Sequence, residues 1–344
     1  MNLTLDYELD NALMRSLSVP VPQTGRLSFS LLQFLSSIGT LTTLSYPVEY
    51  DLSRIHAFFR YAWLPAAPGP LRLRDSISEV DFHQKTLISD ELGVGVSGLV
   101  ASQLFGVRYF ADASPFLKKY SSIAYAGASG RTKTPDFIGL DDTGKFFVIE
   151  AKGTQSGEAT VRKQVRSGRI QKSNVMFSGG ITPVRIVVAT KFSRASLRHG
   201  SSTQAFDPVP MIKFSDEDRE LVRREHFLKV ISSAGVRIKR NSLLDKNYSF
   251  DKGACVPIKI LEQDGIGISF VFQSDVLIGG KVERRHEPCR YIVTFGVSSQ
   301  TFFAAHKKIL LELTRKTSSE FDMQKQVFSL VRNDGWMMDI RMLG

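Results

Sequence analysis

The stretch TPDFIGLDDTGKFFVIEAKGT, Thr134 to Thr154, leaves its backbone few options. Phe137 to Leu140 is a short apolar run, Asp141-Asp142-Thr143-Gly144 is turn chemistry, and Lys145 to Lys152 is rich in aromatic and β-branched residues. Two such runs around a Gly-bearing turn predict a β-hairpin. A three-residue loop, Asp142-Thr143-Gly144, with its Gly left-handed, pairs Asp141 with Lys145, and counting outwards sets Asp136 opposite Glu150. Opposed residues have Cβ atoms roughly 4.5–5.5 Å apart. Side chains alternate along a strand, so Glu150 and Lys152 share a face. One spot then holds two carboxylates and an ammonium, next to Phe146 and Val148. A slip of one residue would destroy the arrangement.

Two opposed carboxylates in apolar surroundings repel unless something positive lies between them. A hard divalent cation fits, and Mg²⁺ typically takes one or two protein carboxylates and keeps water or phosphate for the rest. Charged Lys152 has no lone pair for a metal. It can orient a water or stabilise charge developing on a phosphate.

Charge points the same way. The 344-residue chain carries a net charge of +11. Ala151 to Gly200 holds ten Lys or Arg and one acid, Glu158, and so contributes +9 of it. Within that window SGEATVRKQVRSGRIQK reads as a basic helix, with Val161 and Val165 inward and Arg162, Arg166 and Arg169 in one outward line beside Lys163. Missing acids next to a carboxylate site favour a phosphate-binding surface over a merely solvated face.

Two cysteines, Cys255 and Cys289, show no metal-type spacing and suit a reducing, cytoplasmic setting. The acidic N-terminus MNLTLDYELD is no signal peptide. The longest uncharged run, Leu27 to Val48, is broken by Ser, Thr, Gly39 and Pro47, so no membrane span is expected.

The length suggests two or three domains. Residues 1–75 are expected as an N-terminal helical or mixed accessory unit, with RLSFSLLQFLSSIG and DLSRIHAFFRYAW as helices and PAAPGP as linker. Residues 76–214 hold the chemistry. There SDELGVGVSGLVASQLFG predicts a helix capped by Ser89 and ended at Gly106. Its small residues Gly95, Gly98 and Ser102 lie at helical spacing with Glu91, and admit either another packed backbone or a nucleic-acid strand. PVRIVVATKF is a buried, central strand. Residues 215–344 are expected as an α+β accessory domain: a helix from Ser215 to Gly235, a hairpin turning at Asp264-Gly265, the strand RYIVTFGV and the amphipathic helix TFFAAHKKILLELTRK.

Pro135-Asp136 followed by Glu150-Ala151-Lys152, fourteen residues after the Asp, resembles the PD-(D/E)XK nuclease superfamily over roughly residues 85–195. The resemblance implies an α/β, restriction-endonuclease-like mixed-sheet core flanked by helices, in the order helix, three strands, helix, strand. It implies that Asp136, Glu150 and the main-chain carbonyl of Ala151 ligate Mg²⁺ or Mn²⁺, and that Lys152 positions the attacking water or stabilises the transition state. Glu91 on the upstream helix would bind a second cation or act indirectly. The reaction would be hydrolysis of a phosphodiester to leave a 5′-phosphate. One subgroup follows the Lys with Gln-x-x-x-Tyr; here Gln164 is followed four places on by Gly168, although Gln164 remains able to face the site.

The expected function is a metal-dependent nuclease acting on DNA, with RNA not excluded, in a restriction or antiviral-defence role. A homodimer and a partner ATPase or helicase stay open. So does a nucleic-acid-binding or assembly subunit that is inactive alone. The six histidines form no metal-spaced pair, and only His83 precedes the Glu91 helix closely. GVGVSG lacks the Lys-Ser/Thr of a phosphate loop.

Overall fold

The structure is a computed structural model. It describes residues 1–17, 21–43, 57, 60–113, 135–157, 159–165, 183–206 and 214–232, and the strand residues 259–263, 266–273, 277–284, 290–298, 318–322, 327–331 and 336–343. Arg166, Arg169, both cysteines, most of DLSRIHAFFRYAW and the TFFAAHKKILLELTRK segment lie outside them. The chain divides into two compact units: Met1–Thr42 with Ala57–His226, and Thr43–His56 with Phe227–Gly344.

The first unit is mixed α/β. Its strands are β1 (Asn2–Leu9), β2 (Thr24–Ser30), β3 (Gly69–Pro70), β4 (Val107–Asp112), β5 (Phe137–Asp141), β6 (Phe146–Thr154), β7 (Val184–Lys191) and β8 (Ser202–Phe206). They form one sheet in the order β2-β1-β8-β7-β6-β5-β4, with β3 beside β1. β4, β5 and β6 run antiparallel in succession, and β7 is parallel to β6. Between β6 and β7 residues 159–165 are helical, and their Val161 and Val165 pack on Ala189 of β7. Strand β6 is therefore paired on both sides, and eight of its nine residues are buried. Among the described residues no helix is long and apolar enough to cross a membrane.

Residues 1–75, expected as a separate accessory unit, supply β1, β2 and β3 to this same sheet. NLTLDYEL alternates, and it buries Leu3, Leu5, Tyr7 and Leu9 on one face. The predicted helix RLSFSLLQFLSSIG is really two elements. Its alternating half RLSFS is in β2, with Leu27 and Phe29 buried, and helix α2 (Leu31–Thr42) begins only after Ser30; α1 is the short Asn11–Ser16. Ser30 and Gln33 set that start reciprocally: Gln33 N donates to Ser30 Oγ at 3.1 Å and Ser30 N donates to Gln33 Oε1 at 2.7 Å.

Helix α3 (Phe82–Leu104) also starts earlier than Ser89. The Asp81 carboxylate accepts from the backbone of His83 at 2.8 Å and is the true cap. Ser89 lies inside the helix and donates to Lys85 O at 2.7 Å. Glycines seat α3 against two neighbours. A Cβ on Gly95 would lie 2.3 Å from Ile38 Cγ1, and one on Gly98 2.6 Å from Leu41 Cδ1, so this stripe is filled by α2. A Cβ on Gly153 of β6 would lie 1.8 Å from Ser89 O, and one on Gly93 2.6 Å from Gly153 N. Helix and strand touch there backbone to backbone.

Helix α4 (Asp216–Ser232) begins in the first unit. The Asp218 carboxylate accepts from Ser215 N at 2.8 Å and from its hydroxyl at 3.0 Å, which secures the first turn. Phe214 stacks on Phe146 at 4.4 Å between ring centroids, a contact worth about 0.5–1.5 kcal/mol beyond its buried area. The second unit contains strands β9 (Lys259–Gln263), β10 (Ile266–Gln273), β11 (Leu277–Arg284), β12 (Arg290–Ser298), β13 (Ser318–Asp322), β14 (Val327–Val331) and β15 (Trp336–Leu343). They form an antiparallel sheet in the order β13-β14-β15-β12-β11-β10-β9. The expected 264–265 hairpin is the β9–β10 pair.

Candidate active site

The β5–β6 hairpin has the register that the turn chemistry dictates. Phe137 pairs with Ile149 and Leu140 with Phe146, so Asp136 and Glu150 follow as the next opposed pair. Gly144 has φ of 83°, a conformation open to glycine at little cost. Asp141 holds the turn. Its Oδ1 accepts from Thr143 N at 2.9 Å, Thr143 Oγ1 at 2.8 Å and Lys145 N at 2.8 Å. From the other side Arg219 Nε donates to Gly144 O at 2.8 Å.

Beyond the turn the hairpin carries its charges inward. The Glu150 side chain is fully buried, and Lys152 donates to its Oε1 while keeping 20% of its own side chain exposed. Glu150 Oε2 is buried without a hydrogen-bond partner. Asp136 Oδ2 accepts from Ala151 N at 2.8 Å, which ties the end of β5 to β6. Burial, then the charge of Asp136, pushes the Glu150 carboxyl up to about 7. Burial pushes Asp136 up too, with Lys152 opposing and the charges of Asp90 and Asp112 adding.

Asp90 and Asp112 are the residues that the sequence pattern did not single out. Asp90 is an exposed residue of α3 whose carboxyl is raised by partial burial and lowered by Lys152. The Gly93–Gly153 contact brings it there, because Gly153 follows Lys152 directly. Asp112 ends β4, paired with Phe137. Glu91, one residue beyond Asp90, instead accepts from the Tyr61 hydroxyl, and burial followed by this bond raises Tyr61. The Asp/Glu pair on α3 thus splits: Asp90 is coupled to the hairpin charges, and Glu91 is held by Tyr61. His83 is exposed near the start of α3.

On the helical segment 159–165, Arg162 and Lys163 are exposed. Gln164 Nε2 donates to Gly153 O at 3.2 Å, adjoining Lys152. The structure thus brings together Asp136, Glu150, Ala151, Lys152, Asp90 and Gln164 on and around the end of β6.

The atoms here that could hold a divalent cation are the Asp136 and Glu150 carboxylate oxygens and the Ala151 carbonyl. The orphan Oε2 of Glu150 and two carboxyls raised first by burial and then by neighbouring negative charge mark a place where positive charge would be stabilised. Among the described residues no three His, Cys, Asp or Glu side chains are grouped to hold a metal, so such an ion would rest on two carboxylates and backbone oxygen. No family model, curated protein or solved structure matches the chain.

Proposed function

We propose that the protein is a metal-dependent nuclease that hydrolyses DNA phosphodiester bonds. The observation that carries the reading is Glu150: a fully buried carboxylate facing Asp136, with Lys152 on one oxygen and nothing on the other. The order α3, β4, β5, β6, helical segment, parallel β7 supports a restriction-endonuclease-like core. It matches what the PD-(D/E)XK resemblance implies.

Asp136 Oδ and Glu150 Oε2, with the Ala151 carbonyl, are the atoms to hold Mg²⁺ or Mn²⁺; when bound, the ion supplies Lewis-acid polarisation of the phosphate and its water. Lys152 keeps part of its side chain exposed, so it meets the substrate. Its ammonium orients the attacking water and stabilises charge growing on the phosphate oxygens. Water oxygen bonds to phosphorus as the bond to O3′ breaks, leaving a 5′-phosphate and a 3′-hydroxyl. Asp90 stands beside Lys152 and influences its charge environment. Exposed Arg162 and Lys163 give the phosphate backbone a cationic track.

The rival reading is a subunit that keeps the fold and cuts only with a partner such as an ATPase or helicase. The Lys152–Glu150 ion pair favours it, because it neutralises Glu150 without a metal ion. Incubation of plasmid DNA, linear DNA and RNA with and without Mg²⁺ or Mn²⁺ decides. The parent is expected to cut DNA only with metal, and Glu150→Ala to cut nothing. Cleavage by Glu150→Ala at the parent's rate would remove the site assignment.

A further inference from the structure

A second concave feature adjoins the carboxylates and shares Asp90 with them. A cleft of about 460 Å³ is lined by the first turns of α3, the end of β6 and the helical segment 159–165. That volume is in the range of roughly 300–1,000 Å³ usual for small-molecule sites. Asp90 forms part of its wall, and the same carboxylate acts on Asp136 and feels Lys152. Cleft and carboxylates are neighbours.

Gln164 lines this cleft and carries its most informative atom. The bond from Nε2 to Gly153 O fixes which way the amide points, since the reverse would set oxygen against oxygen. Oε1 is then buried with no hydrogen-bond partner. A buried unpaired acceptor is costly, and a ligand N–H would relieve it. The rest of the lining is complementary to a second kind of surface. Phe82 is 81% exposed and Leu197 46% exposed, both on the cleft, and Lys85 and Arg194 line it as well. An exposed ring, an acceptor lacking its donor and flanking cations together match a nucleotide, which has a stackable face, an N–H-bearing edge and a phosphate.

We infer that this cleft takes one nucleobase of the strand whose phosphate reaches Lys152, with the base face on Phe82 and its edge on Gln164. The position of the phosphate rests on the nuclease reading; the base contacts do not. An extruded or single-stranded base avoids the steric barrier that a stacked duplex would present.

The test is fluorescence anisotropy in EDTA, with a dye-labelled hexamer of deoxyadenylate and a hexamer of the same sugar–phosphate backbone lacking bases. The parent is expected to bind the base-bearing strand about tenfold more tightly, as one stacked base commonly supplies. Phe82→Ala and Gln164→Leu should each shrink that preference to within about threefold while leaving the baseless strand unaffected. Phe82 is mostly exposed, so its variant guards against a fold defect in the other. Equal binding of the two strands by the parent, absence of binding to either, or a preference that survives both substitutions would overturn the inference. Free dAMP binding as tightly as the hexamer would overturn the assignment to a strand. Plasmid cleavage is scored separately: no cleavage with a cleft-dependent base preference sinks the nuclease reading and leaves the subsite.

Discussion

Asp141 and Glu150 belong to one hairpin, and their surroundings are opposites. Asp141 sits at the turn and accepts three hydrogen bonds on a single oxygen. Glu150 sits in the middle of the sheet with one oxygen on Lys152 and the other on nothing. The first carboxylate is fully used in shaping the chain. The second is kept buried at a cost in free energy that its ion pair with Lys152 offsets on one oxygen only. Side chains left in that condition are where chemistry is to be sought.

The sharpest way to break this contrast compares Lys152→Ala with Asp141→Ala in Mg²⁺-dependent plasmid cleavage. Lys152→Ala is expected to slow cleavage by ~10³ or more, which corresponds to about 4 kcal/mol of barrier. Asp141→Ala should change the rate per folded molecule by less than about twofold. Comparable losses would mean that the hairpin's shape, rather than its charges, limits the reaction.

Protonation gives the next largest effect. The Glu150 carboxyl stands at about 7 against an ordinary 4.5, so the folded state favours its neutral form. The stability it contributes is fully present below pH 4.5 and is lost as pH rises through about 7. Urea melts of the metal-free protein should show a decline on the order of 3 kcal/mol across that window, flattened in Glu150→Gln. At pH 8, Mg²⁺ at one hundred times its Kd should restore about 2.7 kcal/mol. A parent and a Glu150→Gln variant with identical pH profiles would contradict the buried carboxylate.

The satisfied carboxylate has its own signature. Asp141→Ala is expected to destabilise the first unit by about 1–3 kcal/mol in the same melts, because three donors lose their acceptor. Smaller still is the division of labour on α3. Asp90→Asn should lower cleavage about tenfold, and Glu91→Gln, which can still accept from Tyr61, less than twofold. The reverse order would return the role to Glu91.

What the sequence disclosed was local. The hairpin register follows from a short turn with Gly144 at its left-handed position and from alternation around it, and neither needs distant contacts. The buried, central place of β7 follows from a β-branched run after a helix-forming stretch. Longer-range facts were not legible. β1 meets β8 across nearly two hundred residues, so no local pattern announces that residues 1–9 join the sheet. The start of α3 was masked because Phe82, Gln84, Thr86 and Leu87 are exposed and show no inward stripe; only Asp81 marks it. Asp90 and Glu91 are neighbours about 100° apart on the helix. Which of them meets the hairpin depends on how α3 docks on β6, a matter of tertiary packing.

That docking has a consequence for anyone who maps this protein by saturation mutagenesis. Gly153 offers no functional group, yet the Ser89 carbonyl occupies the space a methyl would need. An alanine there would lift the helix off the strand and carry Asp90 out of alignment with Lys152. A screen scored on turnover alone would therefore rank a residue without a side chain among the reactive ones, and only a parallel readout of folding would tell a hinge pin from a reagent.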